Sequence, residues 1–118
     1  MTAARIIAAL AALAHEHRLA AYRLLVVAGP EGMAAGLVAA RLGVPPSSLT
    51  FHLQLLLRAQ LVSRRRLSRQ RIYAVNFRTM NALLGYLTEN CCGQGVGTVC
   101  MTPLCPPGAR VVARRKAA

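Results

Sequence analysis

Between residues 42 and 75 the apolar pattern changes its period once, and that change limits what this chain can fold into more than any other feature. Leu49, Leu53, Leu56 and Leu57 fall on one side of a helical wheel of about 3.6 residues per turn, so residues 46–60 predict a helix with a single apolar stripe. Ser47, Thr50, Phe51, Gln54 and Arg58 take the opposite side. Leu61-Val62 and Ile72-Tyr73-Ala74-Val75 then read as two short strands around residues 64–71, a hairpin tip holding five of the chain's 15 basic residues. Upstream, Ile6, Leu10 and Leu13 mark a short helix over residues 3–14, and Leu19, Tyr22, Leu25 and Val26 mark a second that Gly29-Pro30 stops. Leu37, Val38 and Leu42 face inward on a third, residues 33–42, closed by Gly43. Pro46 suits the first turn of the helix that follows, where its missing N–H costs nothing. Asn76 is placed to cap a last helix whose stripe is Met80, Leu83, Leu84 and Leu87.

Composition narrows the function. At 118 residues and 55% hydrophobic the chain has one domain's length and the material for a core, which excludes a disordered polar chain. Fifteen basic residues against three acidic ones leave a net charge of +12, which calls for a polyanionic partner, nucleic acid or an acidic membrane surface. There is no aspartate, and the only carboxylates are Glu16, Glu31 and Glu89. Paired-carboxylate catalysis and oxygen-ligand calcium or magnesium sites are thereby set aside. A cysteine-based reductase would need a phosphate-cradling loop and a general acid beside a thiol; neither is present, and the chain does not read as an enzyme. The apolar run 6–13 ahead of Ala12-Leu13-Ala14 imitates a signal peptide but is too short and too periodic. No apolar stretch has membrane-spanning length without a charge. The expectation is a cytoplasmic protein with reduced thiols, residues 1–92 forming the domain and 93–118 a flexible Gly/Pro-rich basic tail.

Short helices, the fourth with a polar outer face, followed by a basic two-stranded hairpin describe a winged helix-turn-helix: mainly α, about five helices and a wing. A helix in the major groove must offer hydrogen-bonding side chains to base edges, as Ser47, Ser48, Thr50 and Gln54 can, with Phe51 and Arg58 on the same face. Arg64, Arg65, Arg66, Arg69 and Arg71 can meet phosphates or the minor groove. A solvated arginine run and a serine cap would each be unremarkable alone; their order along the chain, the outward Phe51 and the net charge favour double-stranded DNA. His52 sits on the flank of the helix, able to reach a phosphate or the wing backbone, with a mainly structural role. His15 and His17 read as surface residues at a helix start. Ile6, Leu10, Leu13, Leu83, Leu84 and Leu87 give the terminal helices more apolar surface than a monomer of this size buries, which marks a homodimer interface.

Leu13-Ala14-His15-Glu16-His17-Arg18-Leu19, the block from Leu42-Gly43-Val44-Pro45-Pro46 through Ser47-Ser48-Leu49-Thr50-Phe51-His52-Leu53, and Ala59-Gln60-Leu61-Val62 resemble the ArsR/SmtB family of metal-responsive repressors. The resemblance covers about residues 5–92, with turn, helix and wing matching in order. It implies a homodimer joined through its first and last helices on a pseudo-palindromic operator. His15-Glu16-His17 stands where the family often has Asp-Pro-Thr, and Pro45-Pro46 where it often has a serine-led cap.

The four cysteines, Cys91, Cys92, Cys100 and Cys105, all lie in the last quarter of the chain. Residues 33–60 contain no cysteine, and residues 76–92 no aspartate or histidine, so two familiar inducer sites of the family are missing. Glu89-Asn90-Cys91-Cys92-Gly93 with a downstream cysteine is similar to the arsenical-responsive subgroup. Thiolates without a neighbouring imidazole favour soft, thiophilic species. Trivalent arsenic or antimony takes three thiolates in a pyramid, which Cys91, Cys92 and Cys100, or Cys105 in its place, can supply around Gly93, Gly95 and Gly97. Four cysteines also suit zinc, although structural zinc sites usually space paired cysteines by two to four residues. The readings thus run from a repressor released by trivalent arsenic or antimony, through a zinc-, copper(I)- or redox-responsive one, to a ligand-independent architectural DNA-binding protein.

Overall fold

The computed structural model describes residues 2–90 together with the strand pairs at 99–100 and 110–111. The elements run α1 (Ala3–Leu13), α2 (Glu16–Ala28), a 3-10 turn (Gly29–Glu31), β1 (Met33–Ala34), α3 (Ala35–Leu42) and α4 (Pro46–Arg58). β2 (Val62–Leu67), β3 (Gln70–Val75) and α5 (Phe77–Leu87) follow, then β4 (Val99–Cys100) and β5 (Arg110–Val111), which pair in parallel. The chain divides into two compact units, residues 2–80 and a second that begins at Asn81. Among the described residues no helix is long and apolar enough to cross a membrane.

In the first unit the apolar stripes meet. Ala9 of α1, Ala21, Tyr22 and Leu25 of α2, Val38 and Ala39 of α3, and Leu49, Leu53 and Leu56 of α4 form one core with Leu61, just after α4, and with Val62, Tyr73 and Val75 of the sheet. Two residues expected to face inward do not: Leu19 and Leu37 are each 45% exposed, one at the margin of the α2 stripe and the other at the start of α3. Thr2 caps α1, its hydroxyl accepting the Arg5 N–H, and the Asn76 carboxamide oxygen accepts the Thr79 N–H at the start of α5 as expected.

The sheet departs from expectation in two respects. It has three antiparallel strands in the order β1-β3-β2, where the sequence predicts a two-stranded wing. Met33 and Ala34, expected to open the third helix, pair instead with Tyr73 and Ile72. Gly32 permits this: its φ is +76°, and an added Cβ would run into the Tyr73 carbonyl. The wing strands are also longer than expected. Val62 to Leu67 pairs continuously with Val75 to Gln70, which leaves only Ser68-Arg69 as the turn, with Ser68 at φ +56°.

α4 ends in a Schellman closure. The Leu61 N–H donates to the Leu56 carbonyl at 3.0 Å and the Gln60 N–H to that of Leu57 at 2.9 Å, with Gln60 left-handed at φ +65°. The closure turns the chain directly from α4 into β2, with Leu56 and Leu61 both fully buried. Glycine holds the corresponding position after α3, at Gly43. Gln60→Gly is therefore expected to stabilise the fold by about 1 kcal/mol, since a side chain in the left-handed region costs about that much. Urea unfolding measures it as a higher midpoint with an unchanged slope.

Candidate nucleic-acid interface

α4 divides its surface sharply. Leu49, Leu53 and Leu56 are at most 1% exposed, whereas Ser47, Ser48, Phe51, Gln54 and Arg58 are exposed and Thr50 is half-buried. Pro46 opens the helix after an extended Pro45, and no side chain caps its first turn, so those backbone N–H groups face outward with the positive end of the helix. The Thr50 hydroxyl donates to the Pro46 carbonyl at 2.9 Å, which leaves its oxygen free as an acceptor. Phe51, 59% exposed, packs edge-on to the His52 ring at 5.9 Å. The face thus offers donors, acceptors and one apolar ring, a set suited to base edges and thymine methyls.

Beside it stands the wing. Strand register places Arg64 opposite Tyr73 and Arg66 opposite Arg71, so these three arginines extend the face that carries Val62, Tyr73 and Val75 in the core. Like charges directly opposite each other are destabilising, and among the described residues no carboxylate lies between them. Arg64, Arg65, Arg66 and Arg71 line one depression. Arg69, Gln70 and Arg71 line another, of about 770 Å³, with Ala34 of β1 and with residues 35–37 and Ala40 of α3. Arg65 is also anchored, its guanidinium donating to the Glu31 carbonyl at 2.9 Å and tying β2 to the 3-10 turn.

His52 turns toward α2, not the wing backbone. Its Nδ1 lies 3.4 Å from Arg18 Nη1, and Arg18 Nε donates to the Ala12 carbonyl at 2.6 Å, so one arginine joins the end of α1, the start of α2 and the flank of α4. His15 caps α2, its Nδ1 accepting the His17 N–H at 3.0 Å. Burial holds the His52 imidazole below its ordinary pKa, and the neighbouring His15, Arg18 and His17 act in the same direction. Arg18 and the meeting of the three rings were not foreseen, because 34 residues separate Arg18 from His52 and no local spacing records it.

Of the residues expected at a dimer interface, Ile6 and Leu83 are buried, Leu13 is half-buried, and Leu10, Leu84 and Leu87 are exposed; Ile7, next to Ile6, is 65% exposed. Cys91, Cys92 and Cys105 lie outside the described residues, and Cys100 is described only as part of β4.

A family model described as a helix-turn-helix domain matches residues 13–65. NolR from Sinorhizobium fredii is 31% identical, with a TM-score of 0.58 over 73% of this chain and 83% of that one. An ArsR-like transcriptional regulator from Rhodococcus sp. RHA1 is 26% identical, with a TM-score of 0.60 over 68% of this chain and 73% of that one. The chain belongs to the ArsR/SmtB family. Its winged helix-turn-helix fold recurs in a fragment of Mb0332 from Mycobacterium bovis, a homodimeric DNA-binding domain described as a possible ArsR-family regulator. That fragment is 22% identical, with a TM-score of 0.60 over 68% of this chain and 72% of that one. No curated protein sequence matches. In this ArsR/SmtB chain, α3 and α4 are the helix-turn-helix, and β2 and β3 the wing.

The crowding of Arg66 and Arg71 gives two effects of opposite sign. Arg66→Ala or Arg71→Ala is expected to raise the thermal midpoint slightly while weakening DNA binding and lowering the salt slope by about 1 per arginine removed. Calorimetry beside a salt titration of duplex binding reads both.

Proposed function

We propose that this chain is a homodimeric transcriptional repressor, released from its operator when trivalent arsenic or antimony binds C-terminal thiolates. The observation that carries the DNA half is the exposed polar face of α4 set beside wing arginines that, among the described residues, no carboxylate neutralises. Ser47, Ser48, Thr50, Phe51 and Gln54 read bases, Arg58 and the wing arginines hold phosphates, and two copies of α4 address the halves of a pseudo-palindrome. Exposed apolar side chains on α1 (Ile7 and Leu10) and on α5 (Leu84, Tyr86 and Leu87) supply surface for a second copy. The homodimeric description of the Mb0332 domain supports the same assembly.

The sensing half rests on ligand chemistry. Four thiols gather after residue 90, no histidine follows His52, and the chain has no aspartate, so sulfur predominates in the donor set there, with Glu89 the one side-chain carboxylate near it in sequence. Cys91, Cys92 and Cys100 supply the three thiolates, with Cys105 as the alternative third. Because binding is reciprocal, a metalloid that weakens DNA binding is itself bound more weakly by the DNA complex.

Two measurements test the halves separately. Selection from a random duplex pool is expected to give a pseudo-palindrome, with Gln54→Ala relaxing preference at one base step per half-site. Titrating arsenite, antimonite and, separately, zinc into the complex with the chain's own promoter fragment is expected to show release by the first two. Cys91→Ser, Cys92→Ser and Cys100→Ser should keep operator binding and lose that release. Release by zinc alone, or by oxidant alone, refutes metalloid sensing, and no sequence preference in the pool refutes the regulator.

A further inference from the structure

His15, His17 and His52 are all the histidines the chain has, and the fold gathers them. Ring centroids lie 4.6 Å apart for His15 and His52, 5.5 Å for His15 and His17, and 5.7 Å for His17 and His52. The cap that His15 forms on α2 and the contact of His52 with Arg18 both require a bare Nδ1, since a backbone N–H and a guanidinium can only donate. Each of these two neutral rings therefore carries its proton on Nε2, and a charged ring can make neither contact. Among the described residues no three histidine, cysteine or acidic groups are placed to hold a metal ion, so the chemistry left to the cluster is that of protons.

The surroundings are one-sided. α4 packs against α1, α2, α3 and β2. The titratable or charged groups on those elements are Arg5; Glu16, His17, Arg18, Tyr22 and Arg23; Arg41; and Arg64, Arg65 and Arg66, with His15 immediately before α2 and Arg58 on α4 itself. The charges acting on His52 are His15, Arg18 and His17, all of one sign; Glu16, exposed at the helix start, is not among them.

We propose that the three histidines are a proton-responsive brace between the start of α2 and α4, holding the two together when neutral and loosening α4 when charged. With no aspartate and three glutamates, these are the only side chains in the chain whose ordinary titration falls between pH 5 and 8. Unfolded, His52 takes its proton near the usual imidazole value of about 6.5; folded, it takes it lower. The unfolded chain then holds more protons, so the brace's contribution is complete above about pH 6.5 and is lost as acidification passes through the folded value. Its effect on DNA rests on the regulator reading above, while its effect on stability does not.

The test compares the full chain with the triple variant His15→Asn, His17→Gln, His52→Gln at pH 7.5 and 5.5. Asparagine keeps a cap acceptor and glutamine at position 52 keeps an acceptor for Arg18, yet neither titrates. The thermal midpoint of the native chain is expected to fall by about 5 °C in acid, as for the loss of one modest interaction in a domain of this size, while that of the variant stays level. Should the triple variant not fold, His52→Gln alone must remove at least half of the fall. Affinity for the promoter fragment at fixed salt should drop about tenfold over the same range, as for the loss of one modest interaction, and remain level in the variant. A native midpoint as level as the variant's, or a variant that keeps the fall, overturns the brace. So does an affinity that rises in acid through these histidines, since imidazolium would then be holding phosphate. A midpoint that falls as expected, with no DNA bound at either pH, supports the brace and refutes the DNA reading.

Discussion

The burial of Leu49, Leu53 and Leu56 is the interaction on which the other arrangements depend. Each is at most 1% exposed, and each contributes about 1.5–3 kcal/mol by leaving water. With those side chains set against α2 and α3, α4 has no rotational freedom: Phe51 and Gln54 must face outward and His52 must lie along the edge. The same burial places the end of α4, where Leu61 closes the helix onto Leu56 and sends the chain into β2. The position of the wing beside the polar face of α4 thus follows from three leucines, with the arginines carried to their places by strand register.

A reader of the sequence alone recovers what periodicity and capping encode. The α4 stripe, the Asn76 cap and the basic hairpin are local patterns, and each has its counterpart in the fold. β1 is not recoverable in that way. Two residues carry no period, and Met33-Ala34 continues the helical spacing of α3, so only the meeting of Gly32 with the Tyr73 carbonyl reveals a strand. The wing strands were read too short because Arg64, Arg65 and Arg66 lack strand character in themselves; pairing with β3 imposes it. The left-handed Gln60 carries no signal either, since glutamine is a good helix former whose conformation here is set by the Schellman bonds. Of the candidate site, the outer face of α4 and the wing arginines were legible one residue at a time. The Arg18–His52 contact was not, being a product of how α2 crosses α4.

Scarcity of carboxylates shapes how the arginines are held. Arg18 rests on the Ala12 carbonyl and Arg65 on that of Glu31, so backbone oxygens serve where a more balanced protein would use aspartate or glutamate. A carbonyl fixes the position of a guanidinium without cancelling its charge. The molecule therefore has arginines that are ordered yet still cationic, a state that lowers the entropy lost when a phosphate arrives. The cost is self-repulsion within a small body, which the apolar core must outweigh.

Among the described residues the strand order β1-β3-β2 leaves β2 at one edge of the sheet, with no strand on its outer side. Such an edge is a template on which another extended chain can add itself, and long apolar edges of this kind lead to aggregation. Here three consecutive arginines occupy the middle of the strand. Two sheets approaching edge to edge would bring those cations together at strand spacing, about 5 Å, with no acid to separate them. The residues suited to hold DNA therefore also keep copies of the protein from zipping together through their wings.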